Sequence, residues 1–141
     1  MLGKAIAIAA NAHAKQKDKA GKPYILHPIR VMTKLYTDDQ ELMSIAILHD
    51  VVEDCAHITL ETLRNHGFSE RIVAGVGCLS RTKGEGYEEF IERCAINPDA
   101  RKIKLQDLKD NSDITRLKGL SEKDFDCMKK YQRAYIYLKD V

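Results

Sequence analysis

The sequence predicts an all-α fold of about seven or eight helices. Apolar residues recur with helical spacing in nearly every segment, capping and breaking residues punctuate the chain at ordinary helix lengths, and no convincing pair of alternating strands is present. The breaks fall at Gly21-Lys22-Pro23, His27-Pro28, Tyr36-Thr37-Asp38, His57-Ile58-Thr59, Gly67, Lys83-Gly84-Glu85-Gly86, Asn97-Pro98 and Gly119. Ala5 to Ala12, with alternating alanine and isoleucine, reads as a first helix that packs closely and continues toward His13 and Lys15. Pro28 disfavours helix at His27 and starts the next helix. Thr37 or Asp38 caps a helix running through Cys55, Thr59 starts a short one ending at Gly67, and Ser69 starts another with Ile72, Val73 and Val76 on its apolar face. Pro98 suits the first turn of a helix through Leu105-Gln106-Asp107, because its missing amide donor is not needed there. Ser121 with Asp124 caps a last helix whose Phe125, Met128, Tyr131 or Gln132, Tyr135 and Leu138 form an approximate apolar stripe.

At 141 residues the chain is expected to form one domain, residues 1–141, with a real core. An apolar fraction of 44% against 31% charged residues fits an ordinary soluble protein, and a net charge of only +2 gives no electrostatic case for a nucleic-acid polymer. Cys55, Cys78, Cys94 and Cys127 contain no C-x-x-C pair, so neither a zinc knuckle nor a disulfide framework is indicated, and reduced thiols in a cytoplasmic protein are expected. The apolar run after Met1-Leu2-Gly3-Lys4 is too short for a secretory signal, and no segment approaches the roughly 20 apolar residues that cross a membrane. Tyr135, Tyr137 and Leu138, read as exposed, offer a surface for self-association.

The chemistry concentrates in Ala46-Ile47-Leu48-His49-Asp50-Val51-Val52-Glu53-Asp54-Cys55. Charges inside a run that otherwise belongs in a core need a partner that offsets their desolvation, and a cation is the simplest one. On a helix His49 and Asp50 project about 100° apart yet can converge on an ion between them, while Glu53 and Asp54 lie one turn farther on. Two distant residues are candidates to complete such a site: His27, in an apolar stretch at a helix start, and Asp107, which follows Ile103-Lys104-Leu105. The competing reading makes His27 a structural hydrogen-bonder and Asp107 part of a solvated acidic edge, as Asp110 and Asp113 are read to be.

Four ordered segments carry a family resemblance over almost the whole chain: Ala12-His13-Ala14-Lys15-Gln16, Gly21-Lys22-Pro23-Tyr24-Ile25-Leu26-His27-Pro28, His49-Asp50-Val51-Val52-Glu53-Asp54, and Lys104-Leu105-Gln106-Asp107 with Asn111. They resemble the HD-type hydrolase domain of Rel/Spo-like proteins, most closely the stand-alone small alarmone hydrolases. The resemblance implies one divalent ion, usually manganese, held by His27, His49, Asp50 and Asp107. It also implies release of pyrophosphate from the 3′ position of ppGpp or pppGpp, with Glu53 and Asp54 activating and orienting the attacking water. The chemistry supports those roles independently: a cation polarises water and phosphate oxygens, and Glu53 is placed to accept a proton. Glu53 is assigned as the main base and Asp54 as its assistant, with their order left open.

For the nucleotide, Lys19, Tyr24, Lys83, Lys104 and Asn111 are the candidate contacts. Lys83 sits in the glycine-bearing loop Arg81 to Tyr87, and Asn111 is a neutral hydrogen-bonder. The family commonly has Arg-Lys where this chain has Asp18-Lys19, and an acidic group cannot supply a cation over a purine ring. An adenosine alarmone or another 3′-phosphorylated nucleotide is therefore a rival substrate. A reading of a different class is a non-catalytic nucleotide-binding HD module, which has no need of the Glu53-Asp54 pair. No synthetase-like region fits in 141 residues, so degradation and not synthesis is expected.

Overall fold

The computed structural model describes residues 1–141 as nine α-helices and one 3₁₀ turn. In chain order the helices are α1 (Leu2–Ala12), α2 (Leu26–Thr33), α3 (Gln40–Leu48), α4 (Val51–Asp54), α5 (Leu60–Asn65), α6 (Glu70–Leu79), α7 (Tyr87–Ile96), α8 (Pro98–Asn111) and α9 (Glu122–Asp140), with the 3₁₀ turn at Ile114–Arg116 before the last. The all-α expectation holds; the only strand-like pairing is a single bridge between Lys17 and Pro23. One helix more than expected arises because the run through Cys55 is broken at His49-Asp50.

Helix α3 is the hub. Leu42, Ser44, Ile45, Ala46, Ile47 and Leu48 are all buried on it, and it packs against α1, α2, α6 and α8. Fully burying each of Ile45, Ile47 and Leu48 is worth about 1.5–3 kcal/mol. Two small-residue contacts allow the close packing. Ala5 and Ala9 of α1 are wholly buried. On α6, a Cβ added at Gly75 would lie 2.7 Å from Ile45 Cδ1, so α3 and α6 cross where only glycine fits.

Caps set most of the boundaries. Thr59 and Ser121 form capping boxes, Ser69 accepts from the amide of Ile72, and Asn97 caps α8 with Pro98 in its first turn. Gly67, at φ +90°, ends the short α5 segment as expected. Three boundaries and one apolar stripe differ from the sequence reading. Asp39, not Thr37 or Asp38, caps α3, because its carboxylate takes the amides of both Glu41 and Leu42. Helix α1 stops at Ala12, since the His13 side chain turns to bond Gln16. His27 is helical, in the first turn of α2, where Pro28 still costs no hydrogen bond. The last helix buries Ala134 and Leu138 but leaves Phe125 48% exposed. Leu138, only 1% exposed, belongs to the core and so cannot contribute to a surface for self-association.

No helix is long and apolar enough to cross a membrane. The four cysteines are free thiols, Cys94 buried and the others half-buried.

Candidate metal centre

The break between α3 and α4 builds the centre. His49 Nδ1 lies 2.6 Å from the carbonyl of Ala46, and the His49 amide reaches back to that same carbonyl, so the last turn tightens and the helix stops. Asp50 sits at φ −100°, ψ −4° as the residue before α4, and the Asp54 amide resumes helical bonding to Asp50. The break, and not a continuous helical face, lets the adjacent His49 and Asp50 aim at one point.

His27 from α2 and Asp107 from α8 arrive at that point. One ligand atom from each of His27, His49, Asp50 and Asp107 lies within 4.8 Å of the others. His27 Nε2 is 2.8 Å from Asp107 Oδ1, and His49 Nε2 is 3.1 Å from Asp50 Oδ2. Both imidazoles point Nε2 inward because Nδ1 is committed elsewhere: His49 donates to Ala46 O, and His27 Nδ1 donates to Asp110 Oδ2 at 2.6 Å. Two inward lone pairs and two carboxylates in a buried space repel one another unless a cation sits among them. The donor set therefore fits a divalent ion that accepts mixed nitrogen and oxygen ligation.

The local electrostatics show the same demand for positive charge. Burial works against protonation of His27 and His49, yet Asp107 and Asp50 outweigh it and push both imidazoles upward. Burial raises Asp50 and Asp107, but His49 draws Asp50 down to about 2, and Lys104 with the two histidines draws Asp107 well below the carboxylate range. The Lys104 ammonium donates to Asp107 Oδ2 at 2.7 Å; burial opposes its charge, and Asp107 keeps it cationic. Burial and Asp50 hold the Tyr24 hydroxyl protonated, and it donates to Asp50 Oδ2 at 2.6 Å.

Glu53 and Asp54 stand at the open side, both exposed. Glu53 accepts the backbone N–H of Arg81, and Asp54 Oδ2 accepts from Gln16 Nε2 at 3.0 Å. Partial loss of water, with the Asp50 charge adding, raises both carboxyls.

The candidate nucleotide contacts separate into three groups. Lys19, Tyr24 and Asn111 line one cleft of about 220 Å³, contiguous with the centre because Asn111 Nδ2 donates to Asp107 Oδ1 at 3.2 Å. Lys104 has its ammonium on Asp107 and over the Phe90 ring at 5.0 Å, inside the centre and not on the cleft wall. Lys83 is exposed on its loop and is not brought to that cleft. Lys19 stands 3.7 Å from Asp124, and Asp18 turns inward, with Oδ1 accepting the amides of Ala20 and Lys22 and Oδ2 3.5 Å from Arg116.

Asp110 overturns an expectation. Read from sequence as solvated edge, it is 2% exposed and bonds His27, Arg30 and Arg116. Its position, one turn after Asp107 on the same face of α8, was the signal that could have found it. Arg30, three residues after His27, carried a similar signal.

Comparison with known proteins places this architecture. A family model described as "HD domain" matches residues 5–102. The chain belongs to the HD-domain family. The matched stretch of this HD domain carries His27, His49, Asp50, Glu53 and Asp54, and ends before Asp107. The HD domain is 36% identical over 120 residues to a guanosine-3′,5′-bis(diphosphate) 3′-pyrophosphohydrolase of Aquifex aeolicus, an alignment covering 78% of this chain and 17% of the relative. It is 36% identical over 93 residues to the bifunctional (p)ppGpp synthase/hydrolase SpoT of Escherichia coli K12, covering 62% of this chain and 13% of that one. The chain thus spans about a sixth or less of the length of these curated relatives. A solved structure described under "A metazoan ortholog of SpoT hydrolyzes ppGpp and plays a role in starvation responses" superposes with a TM-score of 0.82 at 25% identity, covering 97% of this chain and 84% of that one. The Rel/Spo-like resemblance of the motifs is borne out.

Proposed function

We propose that residues 1–141 act as one cytoplasmic HD phosphohydrolase domain that removes pyrophosphate from the 3′ position of a (p)ppGpp-like alarmone. The observation that carries this reading is the convergence of His27, His49, Asp50 and Asp107 within 4.8 Å, with Glu53 and Asp54 one turn beyond. The relatives named for ppGpp hydrolysis supply the substrate class. Manganese is the proposed ion, and its chemistry when bound is Lewis acidity toward the phosphoryl oxygens and the attacking water.

The residues divide the remaining work. Tyr24 and Lys104 fix the orientation of Asp50 and Asp107: Tyr24 donates to Asp50 Oδ2, the oxygen that also faces His49, and Lys104 donates to Asp107 Oδ2, while the histidines face Oδ1. Glu53, held by the Arg81 amide through Oε1, keeps Oε2 for the proton of the attacking water, and Asp54 assists. Water oxygen joins the phosphorus on the 3′ side, and the 3′ oxygen leaves and takes up a proton. Lys19, Tyr24 and Asn111 form the wall along which the nucleotide lies, and Lys83 reaches its phosphates from the loop when substrate is bound.

A hydrolysis screen tests this. Guanosine and adenosine alarmones, 3′-phosphorylated cofactors and simple nucleotides are incubated with manganese and the protein, and products are identified. Pyrophosphate with the 3′-hydroxyl guanosine 5′-diphosphate from ppGpp, or 5′-triphosphate from pppGpp, is expected. Faster release from the adenosine compounds would transfer the assignment to them, and absence of any turnover with stoichiometric metal bound would leave a binding module.

A further inference from the structure

The first motif of the chain, Ala12-His13-Ala14-Lys15-Gln16, has no part in the reaction as described so far. Yet it ends at one of the two open-side carboxylates. His13 is 1% exposed, at the end of α1, with Nδ1 2.7 Å from Gln16 Oε1. Gln16 Nε2 lies 3.0 Å from Asp54 Oδ2. The backbone of Gln16 is pinned on both sides, its amide donating to His13 O and its carbonyl accepting from Tyr24 N.

Only one direction of hydrogen bonding satisfies this chain of groups. A carboxylate oxygen accepts and cannot donate, so Gln16 must present its NH₂ to Asp54 and its carbonyl oxygen to His13. That carbonyl in turn requires the proton on His13 Nδ1. The other ring nitrogen, Nε2, is buried without a partner, so a proton there would be a stranded donor, costlier than a stranded lone pair on a ring already serving one bond. The His13 ring also packs 5.0 Å from the ring of Tyr24, whose hydroxyl holds Asp50.

We propose that His13 and Gln16 are positioning residues: a directed hydrogen-bond relay that fills Asp54 Oδ2 and leaves Oδ1 as the oxygen offered to the reacting water. Glu53 is held in the parallel manner, one oxygen on the Arg81 amide and one free. Two carboxylates adjacent in sequence are thereby fixed from separate segments of the chain, each with one oxygen to spare. An Asp54 freed from Gln16 rotates about its side-chain torsions, and a misplacement of about 1 Å at a reacting group costs up to 10²-fold in rate.

The inference rests on the hydrolase reading above, and its test separates the two. Gln16→Ala, His13→Asn and Asp54→Ala, alone and combined, are assayed with manganese on the best nucleotide of the screen, alongside metal stoichiometry, thermal melting and the ¹⁵N–¹H correlation spectrum of the histidine rings. Gln16→Ala is expected to lose about 10–100-fold in kcat with KM and bound manganese unchanged. His13→Asn, whose amide nitrogen stands where Nδ1 stood, should keep kcat within about threefold. In the Asp54→Ala background, removing Gln16 should cost nothing further, because the group it positions is gone. The spectrum of the wild type should show His13 protonated at Nδ1, with that preference lost in Gln16→Ala. A kcat for Gln16→Ala within twofold of wild type, losses that multiply in the double variant, or a wild-type His13 protonated at Nε2 overturns the relay. If the wild type releases no pyrophosphate, the hydrolase reading fails, and the histidine spectrum alone decides whether the relay exists.

Discussion

Replacing Asp110 by alanine should weaken the metal centre although Asp110 is not a ligand. Its carboxylate, 1% exposed, takes His27 Nδ1 at 2.6 Å, Arg30 Nε at 2.9 Å and Arg116 Nη1 at 3.0 Å. The first contact fixes the ring so that Nε2 faces inward; without it the imidazole can rotate or move its proton to the nitrogen that must bind metal. Loss of such an outer partner costs about 10–100-fold in metal affinity, or roughly 1.4–2.7 kcal/mol. The apoprotein should suffer as well. Removing one member of a buried charged network costs about 3–5 kcal/mol, and the lower end applies because Arg30 and Arg116 keep 32% and 20% exposure and can regain water. Asp110→Asn keeps the volume and one oxygen for His27 Nδ1–H while dropping the charge, so it should recover most of the metal affinity and little of the stability. Competition of manganese against a chromogenic chelator measures the first quantity, and thermal melting of the metal-free protein the second. A manganese affinity of Asp110→Ala within twofold of wild type, with a lowered melting temperature, would show that Asp110 only braces α2 against α8 and would refute the argument from ring orientation.

Three further outcomes follow from separate parts of the molecule. Glu53→Gln should lose about 10²–10⁴-fold in kcat in a phosphate-release assay while retaining stoichiometric metal, because glutamine still accepts the Arg81 amide but cannot take a proton. Gly75→Ala should lower stability by about 1–3 kcal/mol in urea unfolding, since Ile45, fully buried, has to move from a Cβ placed 2.7 Å away. Arg93 and a Thr82 amide hold the Glu85 carboxyl down at about 2 from an ordinary 4.5, so the bond it makes stabilises the fold above the ordinary value and is lost as pH falls toward 2. The melting-temperature gap between metal-free wild type and Glu85→Gln should therefore be present at neutral pH and close on acidification; a gap unchanged at pH about 2.5 contradicts the assignment.

The parts of the fold that were legible in the sequence are those decided locally. Thr59, Ser69, Pro98 and Ser121 each announce a helix start through one side chain or one missing amide, and the structure uses all four. Asp39 was missed because Thr37, Asp38 and Asp39 are all competent caps, and the choice is made by distant chain: Arg71 of α6 also bonds the Asp39 carboxylate, at 2.6 Å. Leu138 was misjudged because burial of a C-terminal residue depends on whether the last helix docks, which it does against α8 and α7.

The candidate metal ligands were legible for a different reason. Charged and ring-nitrogen side chains placed in apolar sequence demand compensation wherever they fold, so His49-Asp50 after Ile45-Ala46-Ile47-Leu48 points to a cation before any geometry is known. What sequence could not supply was the means of convergence. Two neighbours on a regular helix diverge by about 100°, and one of the candidate ligands resolves this: the His49 ring bonds the Ala46 carbonyl as α3 ends at Leu48, and Asp50 then lies outside the regular helix with its Oδ2 3.1 Å from His49 Nε2. Asp110 was hidden by the opposite effect. An aspartate among Lys109, Asn111, Ser112 and Asp113 has the surroundings of a surface residue, and only the tertiary approach of His27, Arg30 and Arg116 converts it to a buried one. The ligands are therefore written in residue type, whereas the groups that orient them are written in helix phase, and phase becomes readable only once the helices are known to cross.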